Sequence, residues 1–270
     1  MTTATPVDIA FPEAADLHLR LTVGACRLRI RPGDGPQWVA GTYDDPSKAV
    51  PLRIDQSSSG EARISQTFDW PNTWGTLRQP PTFDLLLGKG RPYMLTIEGG
   101  ASEAELELGG LPLRRLTVKY GAGKQEIEFS APNPELMDQL SVACGAASLE
   151  MESLANANFA EMTLEGGAAG YELDFGGVLR RDAAVKINAA VSSVELTVPA
   201  STAVKMSGEA VMGGIDTGDG FMKREGAWWN EAALAGKTPC ITISVRMTMG
   251  GVRLEQTKDV AVSTTSVVVS

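Results

Sequence analysis

The sequence predicts an all-β fold: a β-solenoid-like (β-helix) stack of repeats of about 22 residues, with an irregular β-rich region before it. Three observations indicate this fold. A short motif recurs at that spacing, apolar and polar residues alternate within it with a period of two, and helical patterns are too short to exceed a turn or two. The clearest copies are LTIEGGASEAELEL (95–108), LTVKYGAGKQEIEF (116–129), LSVACGAASLEMES (140–153), MTLEGGAAGYELDF (162–175) and VKINAAVSSVELTV (185–198).

Each copy consists of a strand, a small-residue turn and a second strand. One such unit cannot bury its apolar face alone, whereas stacked units about 4.8 Å apart pair their backbones and share a core. Glycine suits a turn that needs positive φ or a close approach to the next coil. The turn residues are Gly100, Gly121, Gly145, Gly167 and Ala190. Weaker copies occur at 21–30, 204–215 and 241–254, as expected for the ends of a stack.

This pattern divides the chain into three parts. Residues 1–94 form an N-terminal β region with one repeat copy and an inserted hairpin segment that turns at 56–60. Residues 95–258 form the β-solenoid repeat array, with a loop insertion at 216–237. Residues 259–270 form a C-terminal strand or tail.

Composition excludes several classes of function. The 270 residues carry a formal net charge of −9, which argues against nucleic acid and anionic membrane surfaces as partners. Cys26, Cys144 and Cys240 are widely separated and lack metal-ligand spacing, so we expect small buried apolar residues and neither a disulfide framework nor a zinc site. No signal-peptide pattern and no apolar run long enough for a membrane span occur. We therefore expect a cytoplasmic protein by default.

The most informative pattern is acidic, because acidic residues recur at fixed offsets from the turn. Five residues after it lies the first acidic row, Glu105, Glu126, Glu150, Glu172 and Glu195. Seven residues after it lies the second acidic row, Glu107, Glu128, Glu152 and Asp174. If the coils stack in register, neighbouring charges about 5 Å apart repel by roughly 0.8 kcal/mol in water.

Two interpretations of these rows remain open. They form either a solvated face relieved by nearby cations, or a surface for a cation or a basic partner. No DxDxDG-type loop completes a calcium site. Arg29 and Arg31 occupy the matching offsets in the first copy, so they neutralise one end of the rows if that copy stacks there.

A row of polar residues is predicted on the other strand of each repeat. Its members are Thr22, Thr96, Thr117, Ser141, Thr163, Lys186 and Lys205. β-branched hydroxyl residues suit exposed strand positions, so a structural role is favoured.

Two tryptophan clusters, Trp70 with Trp74 and Trp228 with Trp229, are candidate ligand-stacking aromatics or hot spots for a partner. The alternative, which we favour, is that they cover the ends of the stack. His18 is the single histidine and is expected to lie exposed on a strand. It leaves no basis for a Ser-His-Asp or Cys-His arrangement, so we predict no catalytic residues, no cofactor and no metal.

The segment LTIEGGASEAELELGGLPLRRLTVKYGAGKQEIEF (95–129) resembles the glycine-alanine turns of the bacterial toast-rack (LiaF-like) family, which is related to putative adhesins of unknown function. The likeness covers most of residues 17–200. The resemblance implies a β-solenoid-like fold and a role in envelope-associated binding, sensing or adhesion, with envelope association as the alternative location.

The leading functional hypothesis is a non-enzymatic scaffold for protein interaction or adhesion. Its partner is then a protein or a cell-envelope component, and self-association through exposed strand edges is a further expectation. A carbohydrate-binding module that uses the tryptophans is the alternative. An enzyme acting on polysaccharide is a third hypothesis, because acid pairs are abundant.

Overall fold

The computed structural model describes residues 4–67 and 79–258. Nearly all of its regular structure is β, as predicted, in strands that join into one open sheet. The strands are β1 (Thr5–Ala10), β2 (His18–Val23), β3 (Arg27–Gly33), β4 (Gln37–Asp44), β5 (Leu52–Gln56), β6 (Glu61–Gln66), β7 (Thr82–Gly88), β8 (Tyr93–Ala101), β9 (Glu103–Glu107), β10 (Leu113–Glu128), β11 (Met137–Glu152), β12 (Phe159–Asp174), β13 (Ala183–Pro199), β14 (Ala203–Thr217), β15 (Phe221–Arg224), β16 (Ala227–Asn230) and β17 (Cys240–Thr257).

From β10 onward, each repeat of the array is one long bent strand rather than two strands joined by a turn, whereas the first repeat is divided into β8 and β9. In β10 to β13 and β17 the strand runs for 16 to 18 residues through the small-residue segment. The part before the bend is called the first arm and the part after it the second arm. The two arms enclose the core, and the coils stack in parallel register, which gives the predicted β-solenoid-like fold.

The alternation of buried residues changes phase at the bend. In β10, Leu116, Val118 and Tyr120 are buried in the first arm, whereas Gln125 and Ile127 are buried in the second. Side chains alternate between the two faces of a strand, so a continuous phase would turn one arm's apolar residues to solvent. The shift of one residue lets both arms face the same core.

Glycines at the bend allow the coils to approach each other. A Cβ on Gly145 would lie 2.4 Å from the carbonyl oxygen of Gly121, and one on Gly167 would lie 2.4 Å from that of Gly145. Gly123 has a φ of 117°, which L side chains rarely adopt. The glycines therefore serve both reasons considered from the sequence, close approach at some bend positions and positive φ at others.

The N-terminal repeat copy stacks inside the sheet. β2 pairs in parallel with β6 on one side and β8 on the other, and β3 pairs likewise with β7 and β9. The coil formed by β2 and β3 therefore lies between the coil of β6 and β7 and the coil of β8 and β9. β1, β4 and β5 extend this end as antiparallel strands.

At the other end, the order of stacking departs from the order of the chain. β17 inserts between β13 and β14 and runs parallel to both. The chain between β14 and β17 forms the antiparallel hairpin of β15 and β16, which pairs with Lys205 and Met206 of β14. A short helix, α1 (Glu231–Leu234), follows, capped by the side chain of Asn230.

Buried asparagines tie the connections between coils together. The side-chain amide of Asn133 donates to the carbonyl oxygens of Leu113 and Ala157, at 2.7 and 3.2 Å. Asn156 donates to the carbonyl oxygen of Phe129 at 2.8 Å. These bonds satisfy backbone groups that are buried where a second arm leads to the next coil, so they hold successive coils in register.

Candidate interaction face

The first acidic row exists as predicted on the outer face of the second arms. Its five glutamates are direct cross-strand partners in the order Glu105, Glu126, Glu150, Glu172 and Glu195. Each lies on a parallel strand, so neighbouring positions are about 4.8 Å apart. The structure therefore places the five glutamates in one cross-strand row.

Both ends of this row are closed by arginine. Arg29 lies opposite Glu105, and its Nη2 donates to Glu105 Oε2 at 2.6 Å. At the other end Arg253 lies opposite Glu195 and ion-pairs with Glu255 on its own strand at 2.7 Å. The sequence reading anticipated Arg29 but missed Arg253. Arg253 lies at the same offset from the bend in the copy at 241–254 as Glu195 does in its own copy, so the same count would have predicted it.

The second acidic row is shorter and more irregular. Glu107, Glu128 and Glu152 lie in register. Asp174 continues them on the next strand, and its Oδ2 accepts a hydrogen bond from the backbone N–H of Ser153 at 3.2 Å. Among the ion pairs of the described residues, Arg31 pairs with Asp84, at 2.7 Å, and not with a glutamate of this row.

Glu128 lies between the carboxyl-bearing residues Glu107 and Glu152 of the second acidic row. Partial desolvation, followed by the neighbouring carboxylates of Glu107 and Glu152, raises the pKa of Glu128 above its ordinary value. The carboxylates of the first acidic row also shift the pKa of a neighbouring cation, Lys124. Its ion pair with Glu126, reinforced by Glu150 and Glu172, raises the pKa of Lys124. The face thus favours added positive charge, whether a proton or a cationic side chain.

The outer face of the first arms carries the predicted hydroxyl row over part of its length. Thr96, Thr117, Ser141 and Thr163 lie in register and lead to Lys186. The placement of Thr22 and Lys205 in this row was wrong.

Both residues lie two positions out of register with the row. Gly24 stacks against Gly100 at the bend, and counting back from there puts Arg20, not Thr22, opposite Thr96. Ser244 lies beside Lys186 because β17 is inserted before β14. On β14 the row continues at Ser207, opposite Ser244, whereas Lys205 lies opposite Thr242.

His18 is not simply exposed, as the sequence suggested. It is half-buried, and its Nε2 lies 2.8 Å from Thr96 Oγ1. Burial, followed by the charge of Arg20, lowers the pKa of His18 below its ordinary value. The histidine therefore has a structural partner on the first-arm face.

The structure describes one of the two tryptophan clusters, Trp228 with Trp229. Trp70 and Trp74 lie outside the described residues. Trp228 packs against the main core and has Lys223 Nζ 4.5 Å above its ring, and Trp229 has Lys205 Nζ at 4.6 Å. One face of each ring therefore carries a cation, and Trp228 helps to cover the end of the core.

The cysteines carry no exposed nucleophile at the face. All three thiols are free; Cys26 and Cys144 are buried and Cys240 is partly buried. Burial raises the pKa of Cys26 to about 12 and that of Cys144 to about 11. Within the described ranges, His, Cys, Asp and Glu side chains form no group of three or more placed to hold a metal ion. In the same part of the chain, no helix has the length and apolarity to cross a membrane.

Three solved structures align with most of this chain at low sequence identity. A putative cell adhesion protein from Clostridium sporogenes aligns with a TM-score of 0.50 and 14% identity, over 95% of this chain and 100% of that one. A putative adhesin from Bacteroides fragilis gives 0.48 and 9% identity over 94% and 97%. A putative adhesin from Parabacteroides distasonis gives 0.39 and 11% over 95% and 97%. The TM-score of 0.50 shows that this chain shares its fold with the Clostridium sporogenes protein.

Sequence comparison identifies the family. No curated protein matches this chain. The family model for the N-terminal domain of toast_rack, DUF2154, matches residues 2–137, which are 136 of the 270 residues. The matched range includes the N-terminal coils, the first complete bent strand and the first carboxylates of both acidic rows. The chain therefore belongs to the toast-rack family, as its glycine-alanine bends indicated.

Proposed function

We propose that this chain is a non-enzymatic β-repeat scaffold that binds a basic, extended segment of a partner protein or cell-envelope component along the second-arm face. The observation that supports this most is the first acidic row, five glutamates in register on parallel strands. The name of the Clostridium sporogenes structure, a putative cell adhesion protein, agrees with a binding role.

The electrostatic cost of the row supports binding over a purely structural role. Like charges directly opposite on neighbouring strands destabilise a sheet, whereas opposite charges contribute roughly 0.2–1 kcal/mol per pair. The fold also accommodates opposite charges on neighbouring strands, since Lys119 lies opposite Glu98 on the first-arm face and ion-pairs with it at 3.3 Å. A line of carboxylates at strand spacing would be relieved by a partner that brings lysines or arginines.

The test compares two sets of substitutions that change net charge equally. In the row variant, Glu126, Glu150 and Glu172 become glutamine. In the control variant, Glu161, Glu165 and Glu209, on the first arms and near the bend, become glutamine. The probe is a fluorescent octalysine peptide, and its dissociation constant for the full chain is measured by anisotropy at low salt.

We expect the row variant to bind the peptide about tenfold more weakly. Three exposed pairs at about 0.5 kcal/mol each sum to the roughly 1.4 kcal/mol that corresponds to a factor of ten. The control variant should lose less than about twofold by the same reasoning. Equal weakening in both variants would show that net charge alone attracts the peptide, and the proposal would be wrong.

A further inference from the structure

The end of the stack formed by β14, β15 and β16 has a step. On the first-arm side, β16 pairs with Lys205 and Met206 of β14, and β15 pairs in turn with β16. On the second-arm side, among the strands that the structure describes, β14 is the last and pairs only with β17. The first-arm side is therefore taller than the second-arm side by two strand spacings, about 10 Å.

Apolar side chains are exposed at the bend beside this step. Val191, Met249 and Met212 lie in register at the bends of β13, β17 and β14, and are 52%, 42% and 53% exposed. Val211, next to Met212, is 79% exposed. Exposed apolar side chains that lie together mark interaction surfaces more often than scattered ones do.

The core is also incompletely covered at this end. Ile215 of β14, Phe221 of β15 and Trp228 of β16 pack against the main core, but each remains partly exposed. Strand edges and a partly covered core together form a template on which further strands can stack. The occupant of this end is therefore expected to be β-structure that continues both arms.

A second copy of this chain has the shape that fills the step. A twofold axis through the bend places the first arms of one copy over the second arms of the other. The taller side of each copy, which ends in β15, then faces the shorter side of the other copy, which ends in β14. The two gaps are equal, because each is bounded by one taller and one shorter side, so strands meet on both arms.

Strand direction in this arrangement is suited to pairing. β15 runs parallel to the first arm of β14, because both are antiparallel to β16. First arms run toward the bend and second arms run away from it. β15 of one copy and the second arm of β14 of the other are therefore antiparallel, the orientation in which opposed strand edges exchange straight hydrogen bonds.

Charges on the two strands are complementary in the same arrangement. The registers of β14, β16 and β15 put Arg224 at the level of Ser207, five residues before Met212. Asp216 lies four residues after Met212, so the two charged residues are almost equally far from the bend. Both are exposed. The twofold axis thus brings Arg224 of one copy beside Asp216 of the other, and does so twice.

We propose that the chain forms a symmetric dimer through this step, in which β15 of each copy pairs with the second arm of β14 of the other. The sheets and cores of the two copies become continuous across the joint. The exposed row at the bend ends at the twofold axis, where it meets the same row of the second copy. The interface does not use the glutamates proposed to bind a basic segment.

The test reverses the two charges one at a time in the full chain. In Asp216→Arg, both contacts across the twofold axis bring two cations together, and in Arg224→Asp both bring two carboxylates together. In an equimolar mixture of these variants, a mixed dimer has one native contact and one contact with its charges exchanged. Asp138→Arg is the matched control, because Asp138 is exposed on β11, away from the step.

Sedimentation velocity over a concentration series measures the dimer dissociation constant. We expect the wild-type chain and Asp138→Arg to form equally stable dimers. Each of the other two variants alone should dissociate about tenfold more readily, because both opposite-charge contacts become like-charge contacts. Their mixture should return to within about threefold of the wild-type value, which also checks that both variants are folded.

Three results would each overturn the proposal. The first is a wild-type chain that stays monomeric over the whole series. The second is dimerisation that neither Asp216→Arg nor Arg224→Asp weakens. The third is a mixture of the two variants that dimerises no better than either variant alone, because the two charges would then not meet between copies.

Discussion

The outer faces of the first and second arms belong to the same coils and cover the same core, yet they order their charges differently. Across the first arms, Glu98 lies beside Lys119, and Glu165 accepts a hydrogen bond from Asn188 at 2.8 Å. Across the second arms, carboxylate follows carboxylate until an arginine ends the row. The shared backbone therefore permits mixed charges, and the acidic rows are a property of the second-arm sequence.

This comparison separates what the stack needs from what the sequence adds. Both faces need alternation of apolar and polar residues and a bend at which the alternation changes phase. The second-arm face in addition carries a run of like charges that the fold does not require. Its two arginine ends relieve the outermost glutamates, while Glu126, Glu150 and Glu172 lie between carboxylates on both sides.

The largest expected effect comes from the bend that joins the two faces. In Gly145→Val, the new Cβ would meet the carbonyl oxygen of Gly121 at 2.4 Å, and the backbone of both arms would have to shift. We expect the free energy of unfolding to fall by about 2–4 kcal/mol, measured by urea denaturation. Gly170→Ala is the control, because a Cβ there meets nothing within 4 Å; its change should stay within about 0.5 kcal/mol. Similar losses in both variants would contradict this account of the bend.

A smaller effect is expected from exchanging the charge patterns of the faces. Glu150→Lys places a cation between Glu126 and Glu172 and should raise the free energy of unfolding by about 0.5–1 kcal/mol at low salt. Lys119→Glu should lower it, because the ion pair with Glu98 becomes a repulsion. Both changes should shrink in 1 M salt, where charges at exposed sites are screened. If Glu150→Lys destabilised the chain at low salt, the row would not be a site of repulsion.

The smallest effect concerns pH. The pKa of Glu128 is raised above 4.5 in the folded chain, so the folded state holds this proton more tightly than the unfolded state. The contribution of Glu128 to stability therefore falls as pH rises from 4.5 through its folded pKa.

Glu128→Gln removes this dependence. The variant should match the wild-type chain near pH 3 and become more stable above pH 5, by a few tenths of a kcal/mol because solvent screens the exposed carboxylates. Urea midpoints at several pH values measure the difference. A gap between the two chains that does not vary with pH would contradict the proposed coupling to Glu107 and Glu152.

Counting residues from the bend predicted the second-arm face because the repeats stack in register. A constant offset then means a constant position, which is why Glu126 and Glu150 are cross-strand partners. The same counting failed for Thr22. Its LTV sequence resembles the start of the later copies, but Thr22 lies two residues out of register with Thr96. It failed for Lys205 in the same way, because the residue of β14 that continues the row is Ser207, two residues further on and opposite Ser244.

The buried polar contacts could not be predicted from the sequence either. Asn133 and Asn156 lie in connections where asparagine is common on the surface, so composition gave no reason to place them inside. Their burial depends on carbonyl groups contributed by neighbouring coils. The partner of His18, Thr96, is 78 residues away in sequence and is likewise a product of stacking.

The sequence by itself determined the repeat, the all-β class and the two lines of carboxylates, because alternation and spacing are local properties that parallel stacking converts directly into rows. Tertiary structure decided the order in which the coils stack and the partners of the buried asparagines and of His18. These depend on which strand edges meet, and that choice is governed by burial of the whole core and by satisfaction of backbone hydrogen bonds across distant segments.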